Sequence, residues 1–122
     1  MTETTLRAAP QTEAVEYARR LAARTMRTWS LIEYEEPVTA IVAELVANAV
    51  LHAGTMLELR LIRRTGRVRV EVRDRATRMP RLTIPDPEDE GHRGLFIVDS
   101  FSAAWGADPV PGGKVVWAEV AI

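Results

Sequence analysis

Apolar residues along the chain switch between helical and alternating spacing, and each switch marks an element. After a short start around Leu6, residues Thr12 to Trp29 place Val15, Ala18, Leu21, Ala22, Thr25 and Met26 on one side, which predicts a first helix behind Pro10. A polar interval, Ser30 to Glu36, ends at Pro37, which suits the first turn of a second helix that runs to Ala53 and stops at Gly54. Leu57, Leu59 and Leu61 then alternate with Glu58 and Arg60, and after the turn Arg64-Thr65-Gly66-Arg67 the valines Val68, Val70 and Val72 alternate with Arg69, Glu71 and Arg73. That is the pattern of a hairpin with one face inside.

From Arg75 to Glu90 periodicity lapses: Pro80, Pro85 and Pro87 interrupt the chain and Glu88-Asp89-Glu90 close it. A loop of that length in a compact domain is usually functional, and a lid over residues 75–92 is expected. Gly91-His92-Arg93-Gly94 opens a short third helix, Leu95 to Phe101, which Trp105-Gly106-Ala107-Asp108-Pro109 is expected to end. Gly112-Gly113 precedes a last strand, Val115 to Ile122, with Val116, Ala118, Val120 and Ile122 on one face. The order predicts an α+β fold: a two-layer α/β sandwich, mostly antiparallel sheet with helices on one face.

Composition narrows the chemistry. At 122 residues the chain fits one domain, residues 1–122. The absence of cysteine excludes disulfides, thiolate metal sites and a cysteine nucleophile. Sixteen basic residues against 17 acidic ones, spread along the chain, argue against nucleic acid as a partner. No uninterrupted apolar run reaches the roughly 18–20 residues of a membrane span, and the opening MTETTLRAAP lacks the flank of a secretory signal, so a cytoplasmic protein with no membrane partner is expected. Lys114 is the only lysine, and no function is drawn from it.

The second helix carries the first candidate chemistry. At about 100° per residue, Val38, Ile41, Val42, Leu45, Val46, Ala49, Val50 and Ala53 form a core stripe, and Glu44, Asn48 and His52 line one flank at i, i+4 and i+8. Spacing leaves two readings open. In one, Glu44 faces solvent, Asn48 is incidental and His52 is a core-edge histidine favoured by the helix dipole. In the other, Asn48 ligates Mg²⁺ and Glu44 is a general base.

Two further signals follow. Asp74 shares the parity of Val68, Val70 and Val72, so its carboxylate points inward. Its partner is either a buried backbone amide or the exocyclic amino group of a purine. Gly91 to Leu95 sits at a helix start, where small residues let phosphate approach free N–H groups. A zinc site built from His52, His92 and Glu44 has too few strong ligands without cysteine.

Taken in order, E-x-x-x-N-A-x-x-H-A (Glu44 to Ala53), V-x-V-x-D (Val70 to Asp74), G-x-x-G-L (Gly91 to Leu95) and G-K-V-V-W-A-E (Gly113 to Glu119) resemble a known ATP-binding domain. It is the GHKL, or Bergerat-fold, domain of histidine kinase-like ATPases, shared by bacterial anti-sigma-factor serine kinases, sensor histidine kinases and DNA gyrase B. "ELVANAVLHA" and "RGLFIVDSF" are closest in wording to the anti-sigma-factor serine/threonine-protein kinases. The resemblance spans residues 10–122.

It implies ATP and Mg²⁺ as cofactors, with Asn48 as metal ligand and Glu44 as the catalytic base toward a partner's serine. Asp74 would read adenine with Met79 at the base, Gly91, His92, Arg93, Gly94 and Leu95 would lie against the phosphates, and His52 would support the second helix. Implied partners are a sigma factor or an anti-sigma-factor antagonist, and the family is compatible with a homodimer. Three departures stand out. Ala76 and Arg78 occupy positions where the family carries glycines, Val115 and Val116 replace a threonine of the last strand, and the lid carries Asp86, Glu88, Asp89 and Glu90. Those departures motivate an alternative, a catalytically inactive partner-binding module with the same fold.

Overall fold

The computed structural model describes residues 2–78 and 93–122, the side chains of residues 93 and 94 excepted. Its elements are β1 (Glu3–Ala8), α1 (Glu13–Thr28), a 3₁₀ turn (Ile32–Tyr34), α2 (Glu35–Asn48), a π-turn (Ala49–Ala53), β2 (Leu57–Arg64), β3 (Arg67–Asp74), α3 (Arg93–Phe101), β4 (Ala104–Val110) and β5 (Gly113–Ala121). The strands form one sheet in the order β1-β2-β3-β5-β4, every neighbouring pair antiparallel. The expected α+β sandwich is therefore present.

Alternation decides which face of the sheet is covered. Leu57, Leu59 and Leu61 of β2, Val68, Val70 and Val72 of β3, and Val116, Ala118 and Val120 of β5 are all buried. Helix α2 lies against β3 and β5 and is flanked by α1 and α3. Its Val38, Ile41, Val42, Leu45 and Val46 are buried, as are Ala18, Ala22, Thr25 and Met26 of α1. Each fully buried branched side chain contributes roughly 1.5–3 kcal/mol, so this stripe fixes α2 on the sheet.

The residues of opposite parity carry charge instead. Arg60 pairs with Glu3 at 2.6 Å and with Glu71 at 3.3 Å, while Arg69 pairs with Glu71 at 2.7 Å and Glu119 at 3.3 Å. The Arg69 guanidinium also stacks 4.4 Å from the centroid of the Trp117 ring. A sheet that buries only one face keeps the other polar in this way.

Several expected boundaries need correction. The start around Leu6 is strand β1, which pairs antiparallel with β2. Trp105 to Pro109, expected to end the third helix, is the middle of β4, which pairs with β5 alone. As an edge strand β4 tolerates Pro109, and Gly106 gives way to the Trp117 ring, 3.1 Å from where a Cβ would stand. Within the polar interval, Leu31 is buried, a 3₁₀ turn follows it, and α2 begins at Glu35, ahead of Pro37. The second helix also does not stay α-helical to Ala53: Gly54 N donates to Ala49 O across a π-turn, and Gly54 caps it at φ 63°. Val50 and Ala53, expected in the core stripe, are only half-buried.

The helical stretch Ile32–Ala53 is 22 residues long and apolar enough by length and composition to match a membrane span, although Glu33, Glu35, Glu36 and Glu44 interrupt it. Its apolar side is taken up by α1, α3 and the sheet.

Candidate functional site

Asp74 ends β3, the central strand of five, and is 3% exposed. Strand parity turns it inward, as its position after Val68, Val70 and Val72 requires. Of the two expected partners the backbone amide is present, and a lysine not expected there joins it. Ala76 N donates to Asp74 Oδ1 at 2.9 Å, closing a two-residue turn, and Lys114 Nζ donates to the same oxygen at 2.9 Å. The Lys114 side chain is 8% exposed and that of Asp74 2%.

Lys114 is the residue of this corner to which the sequence alone gave no role. The signal was there: it has the parity of Val116, Ala118 and Val120, and in the sheet it stands opposite Asp74. Gly113 matters for the same corner, because a Cβ there would overlap Asp74 O. Only glycine lets β5 begin this close to the turn that follows Asp74.

The departure at Ala76 has a structural account. Among the described residues Ser30 is the one non-glycine residue with positive φ, so Ala76 adopts a backbone open to any residue. Its amide still reaches the carboxylate. Thr55, in the turn after the second helix, adds an anchor by accepting a hydrogen bond from Arg75 N at 3.0 Å. Of the two valines that replace the family's threonine, Val115 lies opposite Arg73 on the polar face and Val116 lies buried opposite Val72.

Glu44 and Asn48 lie one helical turn apart on α2, both half-buried beside the core stripe. Burial raises the pKa of the Glu44 carboxyl above its ordinary 4.5. Helix α2 and the π-turn after it pack against β3, the strand that ends in Asp74. His52 does not continue the line: the π-turn breaks the 100° spacing after Asn48, and the imidazole is exposed rather than supporting the helix core. Leu95 is buried in the first turn of α3, and Trp105 Nε1 donates to Asp99 Oδ1 at 2.8 Å, tying α3 to β4.

Met79, Gly91 and His92 lie outside the described residues, as does most of the expected lid; of Arg93 and Gly94 only the helical backbone is described. A 470 Å³ hollow lined by Thr2, Arg63, Arg64, Thr65, Gly66 and Ile122 lies at the hairpin turn, the opposite end of β3 from Asp74.

A purine amine, a divalent cation and phosphates ask for an inward acceptor, hard-oxygen donors and a helix start. Asp74 on β3, Asn48 and Glu44 on α2, and the start of α3 are residues and elements of those chemical kinds, carried by one helix-covered sheet. Comparison with known proteins agrees. Residues 8–120 match the family model of the histidine kinase-like ATPase domain, and the chain belongs to that family. Among solved structures it is similar to the histidine kinase domain from Erythrobacter litoralis EL346 blue-light activated histidine kinase, with a TM-score of 0.57 and 19% sequence identity. That likeness of fold covers 88% of this chain and 60% of the other, so this chain accounts for less than two thirds of its relative's length. Comparison with curated protein sequences gives no match.

Proposed function

We propose that the protein binds ATP with Mg²⁺ and transfers phosphate to a serine of a protein partner, as the anti-sigma-factor kinases it resembles do. The observation that carries this reading is Asp74, a buried carboxylate whose two bonds among the described residues both fall on Oδ1. A carboxylate so placed accepts the amino group of adenine through its other oxygen. Asn48 and Glu44 have the chemistry for the rest: a carboxamide oxygen suits Mg²⁺, and a carboxylate shifted toward neutral pH is a more effective proton acceptor.

In this reading Asn48 would hold Mg²⁺, which would supply charge neutralisation for the phosphates of ATP, the phosphoryl donor. Glu44 orients the serine hydroxyl and takes its proton. By the resemblance, Gly91 to Leu95 would serve the phosphates, residues 75–92 would form the lid and Met79 would serve the base. The partner is an anti-sigma-factor antagonist as substrate or a sigma factor as binding target.

Calorimetric titration with ATP and Mg²⁺ tests the site: wild type binds, and Asn48→Ala and Asp74→Asn each weaken binding at least about tenfold. Absence of binding by the wild type at millimolar nucleotide refutes the reading. Arg78, exposed where the family carries glycine, favours a second reading, a partner-binding module that holds nucleotide without turnover. Nucleotide binding with no phosphate transfer to any antagonist supports that one.

A further inference from the structure

Lys114 is the one lysine in the chain, and the fold buries it. Removing an ammonium from water is costly, and a buried ion pair is often no more stabilising than an apolar pair of the same volume. A buried pair at a binding site therefore calls for an explanation in binding. Nζ of Lys114 lies 2.9 Å from Asp74 Oδ1 and 3.5 Å from Ala76 O, while Ala76 N donates to the same Oδ1 at 2.9 Å.

We propose that Lys114 is a positioning residue that sets the purine preference of the nucleotide site. The proposal rests on the reading of Asp74 as the purine acceptor. Two donors converging on Oδ1 fix the plane of the carboxylate and present Oδ2, which has no partner among the described residues, to the ligand. As half of an ion pair, Asp74 offers acceptors only. It matches the 6-amino group of adenine and opposes the 6-oxo group of guanine, itself an acceptor. The last strand thus orients the purine-reading acid through an ammonium, where Val115 and Val116 carry no hydroxyl.

Titration of wild type, Lys114→Met and Lys114→Arg with ADP and with GDP tests this. The expected result is a loss of ADP affinity of about tenfold or more in Lys114→Met, together with a smaller ADP-over-GDP ratio, and recovery of both in Lys114→Arg. A general loosening of the fold would not move the purine ratio. Unchanged ADP affinity and ratio in Lys114→Met, with ADP bound by the wild type, would overturn the role of Lys114 and leave the nucleotide reading standing. A wild type that binds neither nucleotide refutes that reading instead, and the proposal with it. If Lys114→Met does not fold, the wild-type Lys114 ammonium NMR signal decides: it shifts on saturation with ADP, and a signal that stays in place overturns the proposal.

Discussion

Gly113→Ala is the sharpest probe of how β5 meets the turn after Asp74. The added Cβ would overlap Asp74 O and lie 2.9 Å from both Asp74 C and Arg75 Cα. All three are backbone atoms, so no rotamer change relieves the overlap and the start of β5 must move away from β3. Overpacking costs about 1–3 kcal/mol, and rigid neighbours place this case at the upper end. Separation of the strands also strains the Lys114–Asp74 pair, the next contact along β5. A total near 3 kcal/mol, with a urea slope of about 2 kcal/mol/M, lowers the unfolding midpoint by about 1.5 M.

Gly112 is the control. Its φ is +77° and a Cβ there meets nothing within 4 Å, so Gly112→Ala carries only the left-handed backbone penalty, about 1 kcal/mol, or about 0.5 M. Urea unfolding of the two variants, followed by ADP titration of each, separates a local strain from a damaged site. Gly113→Ala is expected to lose more stability than its neighbour and to bind ADP more weakly. Equal midpoints, or an unchanged ADP affinity, would refute the close-approach account.

Glu44→Gln is expected to stabilise the fold at neutral pH, because burial raises the carboxyl's folded pKa, so the native state loses stability as pH rises above 4.5 and the charged form must be held. The gain, measured by thermal unfolding against pH, vanishes below about pH 4.5, where both side chains are neutral; the same variant abolishes phosphate transfer if Glu44 is the base. Leu59→Ala removes a side chain with 0% exposure at the centre of the sheet and is expected to cost about 2–5 kcal/mol in chemical denaturation. Arg69→Ala, which loses Glu71, Glu119 and the Trp117 ring together, is expected to cost about 1 kcal/mol, and less at high salt.

The parts of the fold that local chemistry decides were legible in the chain. The apolar stripe of α2 follows from its 3.6-residue period, and the β2–β3 hairpin follows from strict alternation about Thr65-Gly66. Parity alone also turned Asp74 inward. What escaped depends on partners distant in sequence. β1 is a strand because β2, far along the chain, pairs with it, and β4 survives Gly106 and Pro109 because it lies at an edge. The π-turn leaves no mark in VANAVLHAG, so His52 was expected one face away from where it lies. Lys114 escaped for a different reason: its 40-residue separation from Asp74 hid the pair, and a solitary lysine was set aside as compositional.

The position of β3 in the sheet bears on how the site withstands damage. Asp74 belongs to the strand with two neighbours on each side, so fraying that begins at β1 or β4 must cross an intact ladder before it reaches the acid. Amide hydrogens of Val70 and Val72 should therefore exchange with solvent only through whole-molecule opening, while those at either margin exchange much sooner. The acid proposed to read the ligand would then be among the last parts of the molecule to come loose.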